Sequence, residues 1–169
     1  RALFLAGFLL ATLWFARAPL APFDARLSAR CEEVSTARLR QHVSKLCTPG
    51  PRARSDALAA TRAYLTRELS ALGYTPREEP FAWTETMSAT DLDSGEKQSS
   101  SRRHEDRHVL AEKRGLLEPE RILEVAAHFD TVPRSPGADD NASGVAALLE
   151  VAAALAPLEL ARTVRFCFF

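Results

Sequence analysis

Residues 123–155 read LEVAAHFDTVPRSPGADDNASGVAALLEVAAAL, and residues 162–169 follow with RTVRFCFF. The apolar run of Ile122, Leu123, Val125, Ala126 and Ala127 predicts a strand over Arg121–Ala127, buried on both faces. Val145, Leu148, Leu149, Ala152 and Leu155 fall on one stripe of a helix expected over Ala142–Ala156, which Pro157 ends. Thr163–Phe169 reads as strand again. Strand, helix and strand in about 50 residues make a βαβ unit with parallel strands, so the fold class is α/β. Ligands of such sheets collect at the carboxyl ends of the strands, and His128 stands at that point.

Side chains two apart on an extended segment point the same way, so His128 and Asp130 should emerge together from the strand end. A metal-bound imidazole usually donates its other N–H to a carboxylate, which gives Asp130 an orienting role beside a liganding His128. Asp139, Asp140 and Asn141 stand just before the helix, where short polar side chains cap free amides and negative charge is favoured. Asp140 there has two oxygens to offer to two cations about 3.5–4 Å apart. Taken singly, a histidine at a strand end is more often hydrogen-bonded structure, and Asp-Asp-Asn before a helix is more often a cap. Neither explains why the strand should end in His-x-Asp, so their joint occurrence points to metal-assisted hydrolysis. The neighbouring Asp139 and Asp140 leave two candidates for the second ligand.

The chain has 169 residues with 22 basic and 22 acidic side chains, a balance that supplies no global field for nucleic acid. Residues 2–16 are continuously apolar behind Arg1, and residues 1–22 read as a signal peptide or a membrane anchor. Fifteen apolar residues fall short of the about 20 that a span needs. The protein is therefore expected to be exported, either secreted or periplasmic, or held at a membrane through residues 2–16. Residues 23–169 form the remaining domain, and both ends of the chain read as cut. Nothing in the sequence fixes the oligomeric state.

Within that domain, Val34, Leu39, Val43 and Leu46 have helical spacing. A second helix is expected behind a Ser55-Asp56 cap, stopped by Gly73. Tyr74–Trp83 reads as an edge strand, the polar stretch 84–107 as an insertion, loop or hairpin tip, and His108–Glu112 as a short strand. Cys31 and Cys47 are candidates for pairing outside the cytoplasm, whereas Cys167 alternates with phenylalanines and reads as core. His104-Glu105-Asp106-Arg107-His108 also fits H-E-x-x-H, a zinc motif only if helical. Its charged neighbours and the strand-like Val109-Leu110-Ala111 argue against it.

The stretch 123–155 with RTVRFCFF resembles the co-catalytic zinc exopeptidases of metallopeptidase family 28, which include secreted aminopeptidases. The likeness extends upstream through HVSKLCTPGPRARSDALAATRAYLTRELSALGY and HVLAEKRG, with 84–107 as a divergent insertion. The His-Phe-Asp-Thr-Val-Pro string is also similar to metallopeptidase family 20, which carries a different later motif in place of Ala-Asp-Asp-Asn-Ala-Ser-Gly. The resemblance to family 28 implies a three-layer sandwich around a mainly parallel mixed sheet, two Zn2+ ions per site and a peptide substrate. It makes His128 a ligand of one zinc, Asp130 its orienting catalytic carboxylate and Asp140 the carboxylate bridging both ions. It also implies a Glu-Glu pair, one general base and one ligand, just after the strand matching Thr163–Phe169, which places the fragment short of a complete site and makes it inactive by itself. Two relatives of the same fold stay open as alternatives: a non-catalytic ectodomain and a single-zinc glutaminyl-peptide cyclotransferase.

Overall fold

The Ser35 hydroxyl accepts a hydrogen bond from the Arg38 amide at 3.4 Å, and behind that cap helix α1 runs over Thr36–Cys47. The computed structural model describes residues 34–90 and 97–169. The apolar run 2–16 and Cys31 lie outside the described residues, and so does the expected Cys31–Cys47 pairing. Helix α2, Ser55–Ala71, differs from expectation at its start. Arg54 holds the N-cap position without a side-chain bond, and Ser55 is already helical. Gly73 terminates it as expected, with a φ of 86° that a residue lacking Cβ adopts without strain.

Four strands follow: β1 (Arg77–Thr90), β2 (Lys97–Lys113), β3 (Glu118–Ala127) and, after helix α3 (Ser143–Leu155), β4 (Arg162–Phe168). They form one mixed sheet in the order β1-β2-β4-β3. The β1–β2 and β2–β4 pairs are antiparallel, and β3 runs parallel to β4 across α3, the expected βαβ unit. Within the polar stretch, Thr84 pairs with Arg103 and Thr90 with Lys97, so most of it continues the two strands of a long hairpin. Its polarity follows from exposure of both strands there, which leaves no apolar alternation to read.

The core lies between one sheet face and the helices. Val109 and Ala111 of β2 and Val164, Phe166 and Phe168 of β4 meet Leu46 of α1, Leu65 and Leu69 of α2, and Val145, Leu148, Leu149 and Ala152 of α3. Each large side chain so buried contributes about 1.5–3 kcal/mol. Two expectations fail against this arrangement. Ile122 and Leu123 are 46% and 59% exposed, so β3 is not buried on both faces along its length. Cys167 lies on the sheet face opposite Phe166 and Phe168 and is half-buried. Among the described residues, no helix is long and apolar enough to cross a membrane.

Candidate metal centre

The sheet ladder continues one residue past β3. The Phe129 amide donates to the Phe169 carbonyl at 2.6 Å, and the Phe169 amide donates to the Ala127 carbonyl at 3.1 Å. Phe129, 2% exposed, sends its ring into the core. Strand alternation then turns His128 and Asp130 outward together. Their contact is direct: His128 Nδ1 lies 3.1 Å from Asp130 Oδ1. The other ring nitrogen, Nε2, lies 3.1 Å from Asp140 Oδ1. The three side chains singled out in the sequence therefore meet around one imidazole.

Local backbone geometry explains why Asp140 is the one that arrives. Gly137, at φ 62°, begins a wide turn closed by the Ala142 amide donating to the Gly137 carbonyl at 3.0 Å. A Cβ at Gly137 would collide with the Thr131 side chain and the Asp140 carbonyl, so glycine is required on steric grounds as well. The Asn141 Oδ1 accepts from the Gly144 amide at 3.1 Å and takes over the capping of α3. Asp139 contributes its carbonyl to the Ser143 hydroxyl at 2.8 Å. Capping is thus done by Asn141, and the carboxylate of Asp140, 83% exposed, faces His128.

Arg52 was not singled out in the sequence. Its residue exposure is 0%. Nε donates to the Phe129 carbonyl at 2.6 Å, Nη1 to those of Leu46 at 3.0 Å and Pro136 at 2.7 Å, and Nη2 to that of Gly137 at 3.0 Å. The main chain is tied as well, since the Arg52 amide donates to Thr131 Oγ1 at 2.7 Å and the Thr131 amide to the Arg52 carbonyl at 3.1 Å. One buried guanidinium, whose planar fork offers five donors, thereby joins the end of α1, the His128–Asp130 segment and the turn that delivers Asp140.

The donor set fits part of a zinc site. Two ligands of one tetrahedral zinc, each about 2.0–2.2 Å from it, stand about 3.3 Å apart. The 3.1 Å between His128 Nε2 and Asp140 Oδ1 is close to that spacing. Asp130 holds the opposite nitrogen, which fixes the ring for coordination through Nε2. Among the described residues no group of three or more His, Cys, Asp or Glu side chains is arranged to hold a metal ion, so His128 and Asp140 form two of the ligands that a zinc needs. The H-E-x-x-H alternative fails, because His104 and His108 lie on β2 and not on a helix. Four residues of strand separate them by about 13 Å. His104 binds Glu85 at 3.1 Å, and His108 stacks on Phe81 with centroids 4.0 Å apart.

Comparison with known proteins places this part of the chain beside a peptidase family. Residues 109–169 match Peptidase family M28. The match covers β3, α3, β4 and every side chain around His128, and it bears out the resemblance to zinc exopeptidases. A stretch of 48 residues is 46% identical to Aminopeptidase YwaD of Bacillus subtilis (strain 168), covering 28% of this chain and 10% of that protein. The aminopeptidase from Aneurinibacillus sp. strain AM-1 shares the fold with a TM-score of 0.69 at 14% identity, over 86% of this chain and 64% of that one. A glutaminyl cyclase from Porphyromonas gingivalis superposes with a TM-score of 0.58 at 27% identity, over 80% of this chain and 45% of that one. The chain thus spans less than two thirds of the length of each.

Proposed function

We propose that this M28-like chain is part of a zinc-dependent exopeptidase, an aminopeptidase that hydrolyses peptide bonds next to a chain terminus. The observation that carries the reading is the imidazole of His128 held between two carboxylates, Asp130 on Nδ1 and Asp140 on Nε2, each at 3.1 Å. In this reading His128 and Asp140 would hold zinc, and Asp130 would keep the imidazole in the liganding tautomer. Zinc would supply Lewis-acid polarisation of the scissile carbonyl and a water acidified toward neutrality. The chain's own residues orient the site, with Arg52 and Gly137 setting the distance between strand end and turn. The proton acceptor and remaining ligands are expected from the Glu-Glu pair and later residues that the resemblance implies. By itself the 169-residue chain is proposed to bind zinc weakly and to lack turnover. The apolar run 2–16 supports export as part of the same reading.

The test is zinc-dependent release of the amine from an aminoacyl anilide by the protein extended through that Glu-Glu pair. Turnover abolished by chelation, restored by zinc and reduced about a hundredfold or more in His128→Ala is expected. Full activity in His128→Ala would refute the assignment. A second reading, a glutaminyl-peptide cyclotransferase, is favoured by the 27% identity to the Porphyromonas gingivalis glutaminyl cyclase, above the 14% to the Aneurinibacillus aminopeptidase. A peptide with N-terminal glutamine separates the two: loss of ammonia marks the cyclase, and release of free glutamine marks the peptidase.

A further inference from the structure

The β1–β2 hairpin carries a row of rings that leads to His128. Trp83 and His104 are directly opposed in the sheet register and stack with centroids 4.8 Å apart. Phe81 stacks on Trp83 at 5.2 Å and on His108 at 4.0 Å. His108 meets Phe169 edge-on at 6.1 Å, and Phe169 lies 6.2 Å from His128. Phe81, Trp83, His104 and Phe169 of this row line the same cleft, of about 1370 Å³, as His128 and Asp130. Arg62 of α2 pairs with Asp106 and, at 3.7 Å, with Glu78, which fastens the hairpin beside the cleft.

The folded core does not require such a row. Phe81, Trp83, His104 and His108 are all outside the apolar cluster, and Trp83 is 45% exposed. The Nδ1 of His108 is buried without a hydrogen-bond partner. Side chains on one face of a strand recur every two residues, about 6.6–6.8 Å, and those of an extended peptide recur at the same interval. Arg102, Arg103 and Arg107 also line the cleft together with Glu105 and Asp106; Arg103 pairs with Glu105 at 3.1 Å and Arg62 with Asp106, and the positive charge left over favours a carboxylate.

We infer that this wall is a docking surface for an extended oligopeptide: apolar or aromatic side chains beyond the scissile bond lie on the rings, with a carboxylate near the arginines. The inference rests on the peptidase reading for the identity of the ligand. Phe81 and Trp83 both line the cleft and stand two residues apart on β1, about 6.6–6.8 Å, the interval between same-side side chains of an extended peptide. The resulting enzyme favours oligopeptides with apolar side chains over short or polar ones.

The experiment measures binding to the 169-residue chain in chelator, where zinc chemistry cannot contribute. The probes are the hexapeptides Ala-Ala-Phe-Leu-Phe-Asp and Ala-Ala-Ser-Gly-Ser-Asp, followed by calorimetry and by the histidine ring resonances. The apolar probe should bind at least about tenfold more tightly, Trp83→Ala should remove about that factor, and Trp83→Tyr should restore most of it. Equal affinity for both probes, or an apolar preference untouched in Trp83→Ala, would overturn the inference. An apolar preference without anilide hydrolysis by the extended protein leaves the wall standing and removes the peptidase reading. Hydrolysis without the preference does the reverse.

Discussion

Arg52 shows how one side chain far from His128 in sequence fixes the geometry around it. Its guanidinium satisfies four main-chain carbonyls and has no water exposure, so truncation would leave several acceptors unpaired at once. Arg52→Ala is expected to lower unfolding stability by about 3 kcal/mol or more, measured by urea titration. Arg52→Lys keeps the charge but not the planar fork and should recover only part of that loss. Stability equal to the parent in both variants would contradict the bracing role. Asp130 differs, because its side chain is 65% exposed and touches the site alone. Asp130→Ala should therefore fold normally while weakening zinc binding about 10–100-fold. His128, Asp130 and Asp140 were legible in the sequence because strand alternation and the approach to a helix are local rules. Arg52 was not, since its partners lie at Leu46, Phe129, Pro136 and Gly137, and no short-range pattern connects them.

At the scale of elements, the βαβ unit was readable because its hydrophobic periods change from strand to helix and back. The exposure of Ile122 and Leu123 was not, because burial of a strand face depends on what lies beside it. The hairpin was hidden for the opposite reason: beyond the core, its strands carry polar side chains on both faces and give no alternation. Helices α1 and α3 are joined by a contact equally invisible locally. Glu150, 3% exposed, accepts from Arg38 Nε and Nη2 at 2.8 Å each and from the Ser35 amide at 3.3 Å. The hydrogen bonds from Arg38 hold its carboxyl below the ordinary glutamate value of 4.5, against the opposing effect of burial. The folded chain is thus harder to protonate at Glu150 than the unfolded one. Its contribution to stability is complete above 4.5 and is lost as pH falls through the lower folded value. Glu150→Gln should cost about 1–3 kcal/mol near neutral pH. The gap between parent and variant should shrink in urea titrations repeated at about pH 3. A gap that is independent of pH would contradict the ion-pair account.

For the whole molecule, the core aligns β3 with β4 and seats α3 across them. The end of one strand and the turn before one helix then open on the same cleft. Separate backbone devices converge there: the Phe129–Phe169 ladder, the left-handed Gly137 and the Asn141 cap. Each concerns a neighbour of His128, Asp130 or Asp140, which is why sequence pattern brought those three side chains together while the structure was needed to show how they are held. The match over residues 109–169 covers this part of the fold. The central claim is that His128 and Asp140 grip the same cation, and calorimetric titration of Zn2+ into the chain and into His128→Ala and Asp140→Ala tests it most directly. Weak binding by the parent that disappears in both variants is the expected result; binding undiminished in either one would contradict it.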